Sequence, residues 1–235
     1  MTHIITAKQN THELPMDDGE VAAWFANYEV TQTHHILRQL NEERMFQPLF
    51  ENAEDYVILD LGANIGLFSL YAKDVAKKII AVEPTPKTFS MLQKLTAEES
   101  NIELLQGAAG QSDGTMTFYV NDNPTINSLV NDVGEKVTVD TYTINSIMSK
   151  FNLDYIDFVK CDIEGGEVIA LTDETIGAVA DKVGFWAVEV HQTNADTGAA
   201  WPGNLEDNRQ AIAKLFQKHG YSTECVINDQ LFAWK

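Results

Sequence analysis

The chain has 235 residues, 44% of them hydrophobic, and its 35 acidic and 16 basic residues leave a formal net charge of −19. This predicts one domain with a sizeable core, and it disfavours nucleic acid and anionic membranes as partners, because both bind through clustered Lys and Arg. Two cysteines are too few for a disulfide framework, and no long apolar run or basic leader is present, so we expect no membrane span, no secretory signal and a cytoplasmic location.

The first part of the chain carries no motif that we can assign. Residues 1–15 show no regular pattern and are expected to be irregular, whereas apolar residues recur at helical spacing over 18–30 and 33–46. We therefore predict an N-terminal helical extension over residues 1–50, which would cover the site or contact another copy. A single domain is predicted to follow over 51–235.

From residue 55 onward, strand patterns alternate with helical patterns. This alternation predicts an α/β fold, a parallel sheet covered by helices. The predicted strands are 55–60, 78–83, 102–107, 115–120, 136–140, 156–161 and 184–190, the predicted helices are 65–76, 86–98, 143–150, 165–179 and 205–218, and a closing hairpin is predicted over 221–226 and 230–234. A loop that could form a rim is predicted over 193–202.

The segment Val57–Leu70 is the most informative part of the chain. An apolar run ends in Asp60, a loop with Gly62 and Gly66 follows, and helical spacing then begins. This pattern predicts a buried parallel strand, a tight loop and a helix N-terminus. Since glycine has no side chain, we expect a ligand to lie against the backbone at both glycines. Asp60 stands at the carboxyl end of its strand, where open α/β sheets bind ligands.

This loop favours a ligand without phosphate. The dinucleotide fingerprint requires a glycine where this chain has Asn64, no P-loop Lys-Ser/Thr pair follows, and Asp60 would repel a pyrophosphate. S-adenosylmethionine has hydroxyls, an amine and a positive charge but no phosphate. The next strand ends in Glu83, which can accept hydrogen bonds from both ribose hydroxyls. A nicotinamide-dependent oxidoreductase stays open as an alternative, as does an ordinary βαβ unit with solvated acids.

A second group of acidic residues follows a later predicted strand. Asp162 ends that strand, and Glu164 and Glu167 lie within the next five residues. Glu167 is explained equally well by the preference of helix N-termini for acids. The strand after it ends in Glu189-Val-His191, whose two polar side chains share one face because strand residues alternate. We expect the side chains other than Glu167 to converge in one crevice, although a histidine bonded only to backbone is the alternative for His191.

These segments resemble the FkbM family of class I S-adenosylmethionine-dependent methyltransferases. The matching stretches are Leu59-Asp-Leu-Gly-Ala-Asn-Ile-Gly-Leu-Phe-Ser69, Val82-Glu-Pro-Thr-Pro86, Asp157-Phe-Val-Lys-Cys-Asp-Ile-Glu-Gly-Gly-Glu167 and Glu189-Val-His191. The resemblance implies a doubly wound, mostly parallel, Rossmann-like sheet of seven strands with the last strand antiparallel. The chain departs from the family at Ile144-Asn145, where members usually carry Leu-Asp, and this puts an acceptor contact there in doubt.

The resemblance also implies S-adenosylmethionine as the cofactor and methyl transfer to an oxygen, often of a sugar or natural-product hydroxyl. The implied cofactor contacts are Asp60, Gly62, Asn64, Gly66 and Glu83, and we include Ala63, Pro84, Ala108 and Asp162 in the same predicted set. The predicted partner is a small-molecule or sugar hydroxyl, with no nucleic acid and no membrane, and the oligomeric state is open. A non-catalytic cofactor-binding protein of the same fold is a further alternative.

Methyl transfer to a hydroxyl needs a base, because an aliphatic hydroxyl is a poor nucleophile at neutral pH. We predict Asp162 as this base and His191 as the second candidate. Glu164 and Glu189 are predicted to orient the acceptor or the base. A divalent cation held by Asp162 and a neighbour is an alternative that the sequence does not lead us to adopt, so no metal ligand is predicted.

Overall fold

The computed structural model describes residues 4–7, 10–14, 18–27, 46–120, 135–192, 204–227 and 229–235 of the chain. The strands are β1 (Ile4–Ala7), β2 (Asn10–Glu13), β3 (Tyr56–Leu61), β4 (Ala76–Glu83), β5 (Ile102–Gln106), β6 (Ala108–Ala109), β7 (Gly114–Val120), β8 (Glu135–Tyr142), β9 (Ile156–Cys161), β10 (Val183–Glu189), β11 (Ser222–Ile227) and β12 (Gln230–Trp234). The helices are α1 (Gly19–Asn27), α2 (Gln47–Phe50), α3 (Leu67–Ala72), α4 (Pro86–Leu95), α5 (Ile144–Lys150), α6 (Glu167–Ala170), α7 (Asp173–Val179) and α8 (Leu205–Lys218).

A seven-stranded sheet forms the centre of the fold, in the order β11-β12-β10-β9-β3-β4-β5. The five strands from β10 to β5 are parallel to one another, and β12 is antiparallel to both of its neighbours. The predicted doubly wound, mostly parallel sheet of seven strands with an antiparallel last strand is therefore confirmed. The strand order switches sides between β3 and β9, and sheets of this kind bind ligands at the carboxyl ends of the strands beside such a switch.

The central strands are apolar along most of their length because both faces of the sheet are covered. Alternate residues point to opposite faces, so Ile58 and Ile79 belong to one hydrophobic cluster while Leu59 and Ile80 belong to the other. All four side chains are fully buried. Burying an aliphatic side chain of this size contributes about 1.5–3 kcal/mol. This packing fixes the strand ends from which the candidate site is built.

The N-terminal part of the chain begins with a strand pair. β1 and β2 are antiparallel, with Ile4 opposite Glu13, so the expectation of an irregular segment over residues 1–15 is wrong. The link of residues 8–9, Lys-Gln, lacks the glycine or asparagine that marks common hairpin turns, so this pair has no turn signature in the sequence. Val21 of α1 and Phe50 of α2 belong to the same hydrophobic cluster as the main sheet.

Some predicted features fall on residues that the structure leaves out. Most of the predicted helix over 33–46 and all of the loop over 193–202 lie outside the described residues. The division of the chain at residue 50 stays a prediction. No helix in the described ranges is long and apolar enough to cross a lipid bilayer.

Two further features differ from the sequence patterns. The strands predicted over 115–120 and 136–140 belong to a separate three-stranded sheet, in the order β6-β8-β7.

The helix predicted over 165–179 is interrupted, because Thr172 starts a new helix inside it. The Thr172 hydroxyl accepts a hydrogen bond from the Thr175 amide, and the Thr175 hydroxyl accepts one from the Thr172 amide. This capping box satisfies two amides that otherwise lack partners, so α6 ends and α7 begins there.

Replacing Thr172 by alanine should lower the free energy of unfolding by about 1 kcal/mol, because the first turn of α7 loses its cap. Urea denaturation followed by circular dichroism measures the change. Thr172→Ser retains the hydroxyl and should stay within about 0.5 kcal/mol of the wild type. Equal losses in the two variants would show that the hydroxyl does not cap the helix.

Candidate active site

The carboxyl ends of four neighbouring strands supply most of the candidate site. Asp60 lies near the end of β3, Glu83 ends β4, Asp162 follows β9 directly, and Glu189 ends β10. These strands are adjacent and parallel, so their ends lie along one edge of the sheet. The sheet thus collects four carboxylates on the side where ligands of this fold class bind.

Asp60 is enclosed by protein groups. Its side chain is fully buried. The Ser69 hydroxyl donates to Oδ2 at 2.7 Å, and Lys160 Nζ lies 3.6 Å from Oδ1. Burial raises the pKa of Asp60, although the charge of Lys160 and the hydrogen bond from Ser69 oppose the shift. The Asp60 carboxylate has no exposed surface in this structure, and the predicted contact with a cofactor stays a prediction.

Glu83 ties the loop after β3 to the end of β4. Its Oε2 accepts a hydrogen bond from the Asn64 amide at 3.1 Å, and its Oε1 accepts one from the Thr85 amide at 2.9 Å. Burial raises the pKa of Glu83 to about 7, while the Thr85 and Asn64 amides oppose the shift. Asn64 itself has a left-handed φ of 50°, and its side chain accepts from the Ile65 amide at 2.8 Å. Glu83 therefore holds the loop in shape.

The two loop glycines do not leave open space for a ligand on the side where a Cβ would stand. A Cβ on Gly62 would overlap the carbonyl oxygen of Asp162, and one on Gly66 would lie 2.6 Å from Leu92 Cδ1. Both residues also have left-handed φ values, 75° and 90°. Protein atoms thus fill the Cβ side of both glycines, and this close packing is by itself a reason for glycine at these positions. Contact of their backbone with a cofactor stays a prediction.

The other residues of the predicted cofactor set lie around the same loop and the next strand. Ala63 is buried and its amide donates to the Val82 carbonyl at 2.9 Å. Pro84 is partly exposed, and Ala108 is buried at the start of β6. Their contacts with a cofactor stay predictions.

The predicted catalytic residues gather around the imidazole of His191. Its Nε2 lies 3.5 Å from Glu164 Oε2, 3.8 Å from Glu189 Oε1 and 3.9 Å from Asp162 Oδ1. Each of the four side chains is between 22% and 30% exposed, so a ligand can reach them. The structure thus brings together all four residues that the sequence marked as candidates for catalysis. We call this group, Asp162, Glu164, Glu189 and His191, the His191 cluster.

Glu167 belongs to the site as well, although the sequence left its role open. It is fully buried, and its Oε1 lies 3.1 Å from His191 Nδ1. The same oxygen accepts a hydrogen bond from the Ile163 amide at 3.0 Å. A helix N-terminus would explain an exposed acid, but a buried acid needs a partner. The sequence does not reveal that partner, because His191 comes from the next strand.

Lys160 is the residue that the sequence reading missed. Its Nζ donates to the Gly62 carbonyl at 3.0 Å and lies 3.2 Å from Asp162 Oδ2. A lysine near the carboxyl end of a mostly apolar strand was the available signal, because strands buried on both faces seldom carry a charge. This ammonium group connects the loop after β3 with the His191 cluster.

Charges within the cluster shift the pKa values of its members. Burial raises the pKa of Glu164 to about 8 and that of Glu189 to about 7, and the charge of Asp162 adds to both shifts. Burial alone would lower the pKa of His191, but the charge of Glu167 and of the other acids raises it to about 11. In this state His191 carries two ring protons at neutral pH. It then donates hydrogen bonds, which does not favour its predicted role as the second candidate base.

Lys160 and the neighbouring Asp162 shift each other's pKa values. Burial would lower the pKa of Lys160, but the charges of Asp162 and Asp60 raise it above the usual value. Burial likewise would raise the pKa of Asp162, yet Lys160 and His191 lower it below its usual value. Lys160 is therefore a cation and Asp162 a carboxylate at neutral pH.

Residues 60–223 match the family model described as the methyltransferase FkbM domain. The chain belongs to this family. It is also similar to two curated proteins, methyltransferase 1 of Beauveria bassiana (strain ARSEF 2860) and methyltransferase sdnD of Sordaria araneosa. The first match is 30% identical over 145 residues and covers 50% of this chain and 58% of the Beauveria protein. The second is 30% identical over 151 residues and covers 48% of this chain and 58% of the Sordaria protein. The chain thus matches a little over half the length of these relatives.

Solved structures agree with this fold. The FkbM-family chain is similar to precorrin-6y C5,15-methyltransferase from Geobacter metallireducens GS-15, with a TM-score of 0.50 and 15% identity. The match covers 83% of this chain and 87% of that one. At this level of identity the likeness shows the fold alone, and it agrees with the sheet order described above.

In this FkbM-family chain, Gly62→Ala should lower the free energy of unfolding by more than about 2 kcal/mol. The new Cβ would overlap the Asp162 carbonyl in a left-handed backbone. Urea denaturation measures the loss. Gly19→Ala is the matched control, because no described atom lies within 4 Å of its Cβ position. If the two substitutions had equal effects, close packing of Gly62 against Asp162 would not be the reason for this glycine.

Proposed function

We propose that this FkbM-family protein is an S-adenosylmethionine-dependent methyltransferase that methylates a hydroxyl oxygen of a small molecule or a sugar. The position of Lys160 is the observation that carries the proposal. Its Nζ joins the Gly62 carbonyl of the loop to the Asp162 carboxylate of the His191 cluster. A cofactor bound at the loop would therefore lie next to an acceptor bound at the cluster. Methyl transfer requires this, because the acceptor oxygen must be in line with the methyl carbon and the sulfur.

The residues of the loop fit the ribose of this cofactor. The two oxygens of Glu83 each accept one backbone N–H, from Thr85 and Asn64. An ionised carboxylate can accept about four hydrogen bonds. Glu83 also accepts a hydrogen bond from the Thr85 hydroxyl, so it has capacity for one ribose hydroxyl while it still holds the loop. For Asp60, we propose a role through Lys160 and Ser69, because these two groups already contact its buried carboxylate.

The cofactor, when bound, supplies a methyl group on a positively charged sulfur. The protein must bind the acceptor and take up the proton of its hydroxyl. We propose that Asp162 takes this proton, because it directly follows β9 and its main chain packs against Gly62 of the loop. Glu164, Glu189 and His191 surround it and are proposed to orient the acceptor by hydrogen bonds.

The charge of the chain supports a choice among acceptors. A net charge of −19 and the partly exposed carboxylates of the cluster disfavour a nucleic acid and favour a neutral or cationic molecule with hydroxyl groups. We propose the cytoplasm as the location, in keeping with two cysteines, Cys161 and Cys225, that are both unpaired.

Two substitutions should separate binding from turnover. Asp162→Asn should lower kcat by about 100-fold or more, because the proton acceptor is lost, and should change the affinity for S-adenosylhomocysteine little. Glu83→Gln should weaken that affinity by about tenfold, through lost hydrogen bonds to a charged acceptor. Calorimetry with S-adenosylhomocysteine measures binding. Transfer of a labelled methyl group to a panel of sugars, polyols and phenols measures turnover.

Glu224→Gln is the control, since Glu224 is exposed on β11 and should leave binding and turnover unchanged. Equal loss of binding in the Asp162 and Glu83 variants would contradict the division of roles. Binding without turnover across the panel would favour a non-catalytic protein. Binding of NAD⁺ in place of S-adenosylhomocysteine would overturn the proposal.

The affinity for S-adenosylhomocysteine should fall as the pH is lowered through 7. Glu83 has a pKa of about 7 because it is buried, and its ionised form is the stronger acceptor for a ribose hydroxyl. Ionisation rises with pH, so affinity should be about tenfold higher at pH 8 than at pH 6. Calorimetry at constant ionic strength measures this dependence. Glu83→Gln should remove it, and an unchanged pH dependence in that variant would assign the titration to another group.

A further inference from the structure

We propose that the His191 cluster binds a divalent transition-metal cation through His191 Nε2 and the carboxylates of Asp162 and Glu164, with Glu189 as a fourth ligand. The distances from Nε2 to the three carboxylates, 3.5, 3.8 and 3.9 Å, exceed those of good hydrogen bonds. They match the separation between ligands of one ion, which is about 3–4.5 Å when each ligand lies about 2.0–2.3 Å from the metal. Ligand atoms of Asp162, Glu164 and His191 all lie within 4.8 Å of one another.

Buried residues outside the cluster hold the atoms that face away from its centre. The outer atom of each of three ligands has a partner: His191 Nδ1 with Glu167 Oε1 at 3.1 Å, Asp162 Oδ2 with Lys160 Nζ at 3.2 Å, and Glu189 Oε2 with Gln230 Nε2 at 2.9 Å. In each case the other polar atom of the same side chain points towards the centre. Outer partners of this kind orient the ligands in metal sites. Acids that merely share a surface have no need of them.

Glu167 gives a second and independent indication. Its carboxylate is fully buried behind His191, and its Oε2 has no hydrogen-bond partner among the described residues. A buried, unpartnered carboxylate oxygen is costly unless positive charge lies near it. Lys160 reaches Asp60 and Asp162 instead. A dication bound at His191 Nε2 would replace the proton on that nitrogen, so the neutral imidazole would donate through Nδ1 to Glu167. The dication would then supply the positive charge that the protonated imidazole carries in its absence.

The ligand types indicate which cation fits. An imidazole nitrogen together with carboxylate oxygens suits Mn²⁺, Fe²⁺ or Zn²⁺, whereas Ca²⁺ and Mg²⁺ prefer oxygen ligands alone. A hydroxyl bound to such a cation loses its proton more easily at neutral pH. This catalytic role for the cation rests on the proposed function, whereas its binding does not.

Electron paramagnetic resonance of Mn²⁺ tests the site directly. The full chain without an affinity tag is treated with EDTA, exchanged into buffer without chelator and titrated with MnCl₂, and the free ion is counted from its spectrum. We expect a single site per chain, with Zn²⁺ competing for it. His191→Ala and Asp162→Ala should each weaken binding at least tenfold, because each removes a ligand. Glu167→Gln should weaken it by about tenfold, as loss of an outer partner does in other metal sites.

His219→Ala is the matched control, because His219 pairs with Asp173 at 2.8 Å and does not belong to the His191 cluster. This variant should bind Mn²⁺ as the wild type does. Glu164→Gln keeps the shape of the side chain and should weaken Mn²⁺ binding about tenfold. If circular dichroism shows that the alanine variants are unfolded, this variant tests the cation site in their place. Failure of the wild type to bind Mn²⁺ or Zn²⁺ at about 1 mM would overturn the proposal. So would undiminished binding by a folded His191 or Glu164 variant.

Methyl transfer measured on the same samples separates this proposal from the proposed function. Mn²⁺ binding without any methyl transfer supports the cation site and counts against the methyltransferase activity. Methyl transfer by a chain that binds no Mn²⁺ or Zn²⁺ overturns the cation site and leaves the methyltransferase activity standing.

Discussion

The ammonium group of Lys160 is the constraint on which the candidate site depends. Moving such a group out of water costs several kcal/mol unless it is paired and hydrogen-bonded. Here the pairing comes from Asp60 and Asp162 and the hydrogen bond from the Gly62 carbonyl. Because these groups belong to β3, to the loop after it and to the end of β9, their mutual position is fixed by one shared cation. In turn, the charge of Lys160 favours the ionised form of both carboxylates.

The rest of the site follows from parallel strands that end at the same edge. These strands are mostly buried, and many of their charged side chains therefore lie at or near the strand ends. Asp162, Glu189 and His191 occupy such positions, and Glu167 reaches them from α6. The result is a concentration of negative charge that is partly shielded from water, with a fixed imidazole at its centre. Such an arrangement suits the binding of cations and the removal of protons better than the binding of phosphate.

The sequence predicted the main sheet well and the irregular parts less well. Strands such as Tyr56–Leu61 and Ile156–Cys161 are short, mostly apolar segments with an acid at or just after the end, which is typical of buried parallel strands. The β1–β2 strand pair was missed because the two residues between the strands, Lys-Gln at 8–9, are not a typical turn pair. The break between α6 and α7 was missed because Thr172 is compatible with either a continuous helix or a new cap. A local sequence pattern identifies a turn or a helix break only when its residues sterically exclude the alternative conformation.

The sequence by itself determined the sheet, the loop after β3 and the residue types at the strand ends, because periodicity and spacing are local properties of the chain. Only the tertiary structure decided what those residues touch. Gly62 and Lys160 are 98 positions apart, yet they meet, and the Cβ side of Gly62 packs closely against Asp162. Glu167 changed from a helix-end acid to the buried partner of His191 for the same reason. Burial and charge pairing depend on neighbours from distant segments, and no local pattern encodes which segments those are.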